Sequence, residues 1–96
     1  MKCYLLQYEV YNPNPNLGSN VINLLNGKIY NNPDTFLENV YDYINNQKFN
    51  EYVINYDKPT TDTLKNMKTS DKIPISSYSS RISWEIYIVC LELVID

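Results

Sequence analysis

Residues 82–94 read Ile-Ser-Trp-Glu-Ile-Tyr-Ile-Val-Cys-Leu-Glu-Leu-Val and constrain this chain more than any other stretch. The run starts as an alternating strand and becomes apolar on both sides between Ile86 and Leu91. A strand apolar on both sides belongs in the middle of a covered sheet or at an interface between copies. The chain must therefore build a sheet around its C-terminal strand and find a cover for each face.

The partners for that strand are legible upstream. Residues 3–11 alternate, with Tyr4, Leu6, Tyr8 and Val10 on one face and Cys3, Leu5, Gln7 and Glu9 on the other. That is a half-buried strand. Asn12-Pro13-Asn14-Pro15-Asn16-Leu17-Gly18 ends it as a loop, because proline removes donors and asparagine tolerates turn geometry. Residues 21–25 fit a short helix capped by Ser19 or Asn20 and stopped at Gly27. They also fit one arm of a hairpin turning at Asn26-Gly27, and the helix is preferred.

Residues 33–47 carry the clearest helical pattern. Asn32 suits the N-cap, Pro33 the first helical position, and Asp34 the positive helix end. Phe36, Leu37, Val40, Tyr41 and Ile44 form an apolar arc of about 140° on the helical wheel. Residues 50–56 read as a further strand, and residues 61–68 as a short helix capped by Thr60 or Thr61. Residues 69–81 read as a Ser-rich loop with an edge strand over 73–78, since Pro74 permits only an edge. The expected fold is a single small α+β domain over residues 1–96. It has a three- to four-stranded, largely antiparallel sheet, one main amphipathic helix on a face, and the C-terminal strand central. Homodimerisation through the sheet is one way to cover its second apolar face.

The chemistry that the chain lacks narrows its function. There is no histidine among the 96 residues, which removes the commonest general base and zinc ligand. Cys3 and Cys90 have no Cys-x-x-Cys spacing and are expected as free buried thiols. Two glycines provide no phosphate cradle, and no acidic run matches a calcium loop. Glu9, Glu85 and Glu92 are the carboxylates that strands can bring together, and solvated strand edges explain them as well. The chain is expected to be no enzyme, with no catalytic residues, no metal and no cofactor. No apolar segment approaches the length of a membrane-spanning helix, and the N-terminus alternates like a strand. A cytoplasmic site of action is expected.

Two charge patterns remain. Asp34, Glu38 and Asp42 recur at i, i+4 and i+8 along the main helix, beside its apolar arc. Like charges at this spacing disfavour the helix by a few tenths of a kcal/mol per pair, and no Lys or Arg within the helix offsets them. Such a stripe is either an ordinary solvated face or a surface offered to a basic partner, with Tyr30 and Tyr43 as flanking aromatic anchors. The opposite pattern lies in residues 58–81, which carry +3 within a chain of net charge −3. There Lys65, Lys68, Lys72, Arg81 and Tyr78 are the candidates for nucleic-acid contact, and a solvated loop is the plainer explanation. With pI ≈ 4.8 the chain is not expected to bind nucleic acid generically.

In size, acidity and lack of catalytic groups the chain looks like small proteins that act by binding one target. Anti-CRISPR proteins and other phage- or plasmid-encoded antagonists are of this type, as are immunity proteins. The leading expectation is therefore an acidic module that inhibits or masks a partner protein with a basic surface. The alternatives are a small nucleic-acid binder using residues 58–81 and a structural homodimer subunit.

Overall fold

In the computed structural model, which describes residues 1–46, 58–78 and 83–94, the C-terminal run forms a ten-residue strand with a neighbour on each side. In chain order the elements are β1 (Lys2–Tyr11), β2 (Ser19–Asn23), α1 (Pro33–Asn46), α2 (Thr61–Lys65), β3 (Lys72–Tyr78) and β4 (Ser83–Glu92). The four strands make an antiparallel sheet in the order β2-β1-β4-β3. The expected α+β architecture is the one observed, with β4 and β1 as the two inner strands.

Register fixes which side chains share a face. Tyr4 lies opposite Cys90, Leu6 opposite Ile88 and Tyr8 opposite Ile86. With Ile75 of β3, this face meets Phe36, Leu37, Val40 and Ile44 of α1 and Leu64 of α2 in one core. Phe36 stacks near Tyr4 (ring centroids 5.8 Å apart) and tilts against Tyr30 at 5.4 Å. The Tyr4 hydroxyl donates to the Leu64 carbonyl at 3.1 Å, so α2 is tied to β1 by a buried hydrogen bond.

The other face carries Cys3, Leu5, Tyr87 and Val89, and all four are buried within the single chain. Cys3 and Cys90 are both free, and they point to opposite sides of the sheet, because Cys90 pairs with Tyr4 and Cys3 with Leu91. Burial pushes the Cys90 thiol above its ordinary range.

The preference for a helix over residues 21–25 is overturned, because Ser19–Asn23 pairs with β1 as strand β2. Tertiary pairing overrides a weak local preference there. The Asn26-Gly27 dipeptide is not a hairpin turn. Leu25, Asn26 and Gly27 all take positive φ in a short 3-10 turn that leads to Tyr30, whose backbone bridges that of Tyr4. The strand read over residues 50–56 lies outside the described residues.

The expected helix cap and edge strand are observed. Thr60 caps α2, its side chain accepting from the Thr63 amide. Among the described residues β3 lies at the edge of the sheet, as Pro74 requires, and has a bulge between Pro74 and Ser76.

Candidate functional site

The acidic stripe is built by the start of α1. Asn32 accepts from the amides of Asp34 (3.0 Å) and Thr35 (3.2 Å), and its carbonyl accepts from Phe36 (3.0 Å). This cap sets the helix phase, and burying Phe36, Leu37, Val40 and Ile44 then turns Asp34, Glu38 and Asp42 outward. All three carboxylates are exposed. Among the described residues, neither the Glu38 nor the Asp42 carboxylate makes a hydrogen bond or an ion pair.

Asp34 and Glu38 border an open groove of about 520 Å³ between α1 and residues 58–61. Leu37, Tyr41 and Pro59 form its apolar part, while Lys58, Thr60 and Thr61 complete the lining. Two contacts hold the opposite wall against α1. The Tyr41 hydroxyl donates to the Pro59 carbonyl, and the Thr61 hydroxyl donates to Asp34 Oδ1. Sequence pattern offers Thr61 only as a helix cap, and the contacts of Pro59 and Thr61 with α1 depend on the fold. Asp34 is thus partly committed within the chain, which leaves Glu38 and Asp42 as the uncommitted carboxylates of the stripe.

The two expected aromatic anchors differ. Tyr43 is half-buried beside Asp42, and partial desolvation raises its phenol above the ordinary value. Tyr30 is buried. Its backbone exchanges hydrogen bonds with Tyr4 (2.7 and 3.0 Å), and Lys28 Nζ lies 4.8 Å from its ring centroid. Tyr30 is therefore a core residue rather than an exposed anchor, because its ring fills the space between β1 and α1.

The cations of residues 58–81 are not gathered on one surface. Lys65 is exposed at the end of α2, on the α1 side of the sheet, and its carbonyl accepts from Lys2 Nζ at 2.8 Å. Lys68 lies in the turn after α2, where its amide donates to Asp71 Oδ2 at 2.8 Å. Lys72 starts β3 and lies over Tyr87 on the other side, 4.9 Å from the ring centroid. Tyr78 ends β3, and Arg81 lies outside the described residues.

The sheet does bring two of the three strand glutamates together. Glu9 is directly opposite Glu85 on the face away from α1, whereas Glu92 lies on the other face and accepts from the N-terminal ammonium at 2.9 Å. Glu9 accepts from Ser19 Oγ (2.7 Å) and the Tyr87 hydroxyl (2.8 Å). These two bonds, aided by Lys72, hold its carboxyl below the usual range. Burial and the bond to Glu9 push Tyr87 up to about 12. The two bonds satisfy the Glu9 carboxylate on the face away from α1. Among the described residues, no group of His, Cys, Asp and Glu has the geometry to hold a metal ion, and no helix is long and apolar enough to cross a membrane. No protein-family model, curated protein or solved structure matches this chain.

Proposed function

We propose that this chain is a protein-binding module that masks a basic surface of a partner protein. The acidic edge of α1 and the groove beside it form the contact. The observation that carries this reading is the exposed line of Asp34, Glu38 and Asp42, of which Asp34 and Glu38 border an apolar groove, with the Glu38 and Asp42 carboxylates making no bond among the described residues. Aligned carboxylates steer a basic partner and orient it, while Leu37, Tyr41 and Pro59 offer apolar area for contact. Tyr43 flanks the stripe as the aromatic contact. Occlusion is the mechanism, so no chemical step is required. Two free, buried thiols fit action in a reducing cytoplasm.

The test is affinity capture from lysate of the native host, at low and high salt. It compares the wild type with a Glu38→Gln, Asp42→Asn double variant, which spares the Asp34–Thr61 bond. A retained protein that is lost at high salt and weakened tenfold or more in the variant supports the reading. Equal retention by both chains at both salts sinks it.

A further inference from the structure

Strand β2 is uncharged, reads Ser-Asn-Val-Ile-Asn, and is exposed along its whole length. Among the described residues it has a strand neighbour on one side only. Two hydrogen-bonded positions fix which backbone groups of β2 point away from β1. The amide of Leu24 donates to the Leu6 carbonyl at 2.9 Å, and Tyr4 exchanges bonds with Tyr30 on the same side of β1. Hydrogen-bonded and non-hydrogen-bonded pairs alternate along an antiparallel ladder. Tyr8–Ile22 and Val10–Asn20 are therefore bonded pairs, and the N–H and C=O of Ser19, Val21 and Asn23 face outward.

We infer that β2 pairs antiparallel with β2 of a second copy, about a two-fold axis at Val21, to join two sheets into one. Three features select a second copy as the occupant. First, the outward groups are symmetric about Val21. Pairing Val21 with Val21 and Ser19 with Asn23 uses every outward donor and acceptor of the strand, which meets the self-complementarity that a two-fold contact demands.

Second, the apolar side chains match in that register. Val21 (49% exposed) meets its own counterpart at the axis on one face of the seam, and Ile22 (53%) lies beside it on the other. Third, the charges permit it. β2 has none, and the nearest carboxylate on its neighbouring strand is Glu9, opposite Val21. Three strand spacings separate Glu9 from its counterpart, about 14 Å, which exceeds the screening length at physiological salt. The acidic stripe on α1 would instead repel its own copy. Natural sheets usually protect an open edge with Lys, Pro or a bulge, and β2 carries none of these.

This inference is independent of the acidic-edge reading. Its test is sedimentation and hydrogen exchange on the intact chain, up to about 1 mM, the range in which weak association is detected. The expected result is a species of twice 11.3 kDa, with protection of the Ser19, Val21 and Asn23 amides that rises with concentration. The Val21→Pro variant removes an outward donor and no bond to β1, and Val21→Lys places two charges at the axis. Both are expected to weaken the dimer at least tenfold while retaining the wild-type circular dichroism. The Val21→Thr variant, which keeps the backbone donor, is expected to remain dimeric. A monomer throughout this range would overturn the inference. So would a dimer indifferent to both variants, or concentration-independent exchange at the three amides. Should Val21→Pro fail to fold, Val21→Lys and the exchange data decide the matter alone.

Discussion

The Tyr87 hydroxyl donates to Glu9 Oε1 at 2.8 Å, reaching diagonally from β4 to β1. Glu9 lies opposite Glu85, so this bond and the one from Ser19 stabilise a carboxylate that its neighbour would otherwise disfavour. Removing the hydroxyl is expected to act on both partners. Tyr87→Phe should lower stability by about 1.5–3 kcal/mol, the usual range for a hydrogen bond to a charged group. It should also raise the Glu9 carboxyl toward its ordinary value. Urea unfolding at neutral pH and a carboxyl-detected titration check the two effects.

The same pair makes stability depend on pH in both directions. Tyr87 holds its proton more tightly folded than unfolded, so its contribution is complete below pH 10 and lost as pH rises toward about 12. Glu9 is the reverse case. Its folded carboxyl is depressed, so its contribution is present above the unfolded value of 4.5 and lost as pH falls through the lower folded one. Thermal melts across pH should therefore show an alkaline decline that is shallower in Tyr87→Phe. The acid decline should be shallower in Glu9→Gln. Unchanged slopes in the two variants would contradict this assignment.

Phe36 holds the helix to the sheet, with its ring against both Tyr4 and Tyr30 and no exposed area. Phe36→Ala is expected to cost about 3–5 kcal/mol, enough to unfold much of the protein if it is marginally stable. Asn32→Ala removes the cap that positions α1 and is expected to cost about 1 kcal/mol. Chemical denaturation of the two variants should rank them in that order.

Cys3 and Cys90 occupy diagonal positions on adjacent strands, and the pleat sends them to opposite faces. Mild oxidation of the folded protein is expected to leave both thiols free. Intact mass under non-reducing conditions, with thiol counting after unfolding, should recover two thiols per chain. A loss of two mass units without unfolding would contradict the register.

Much of the fold is legible in the sequence, because β1, α1 and β4 are long and strongly periodic. Period two in residues 3–11 and the arc from Phe36 to Ile44 each name a buried face. β2 was harder to read. It has five residues, with only Val21 and Ile22 to mark it, and its pairing with β1 decides its conformation. The acidic stripe was visible from helical spacing alone. The groove beside it was not, because Pro59 and Thr61 meet α1 only through the fold. The Glu9–Tyr87 bond joins residues 78 positions apart, and no local pattern announces such a contact. Tyr30 misled for a related reason: a tyrosine in a polar segment looks like surface until its backbone bridge to Tyr4 draws it inside.

Pro74 bears on how large an assembly this chain can build. The Cys90 amide donates to the Asp71 carbonyl at 3.1 Å, so ladder alternation turns the Pro74 nitrogen toward the open side of β3. A strand arriving there meets a pyrrolidine ring where it needs a donor, and then a bulge. Among the described residues, extension of the sheet is therefore one-sided. An association through β2 uses up its own growing end and closes at two copies, whereas a sheet open on both sides would continue into a fibre.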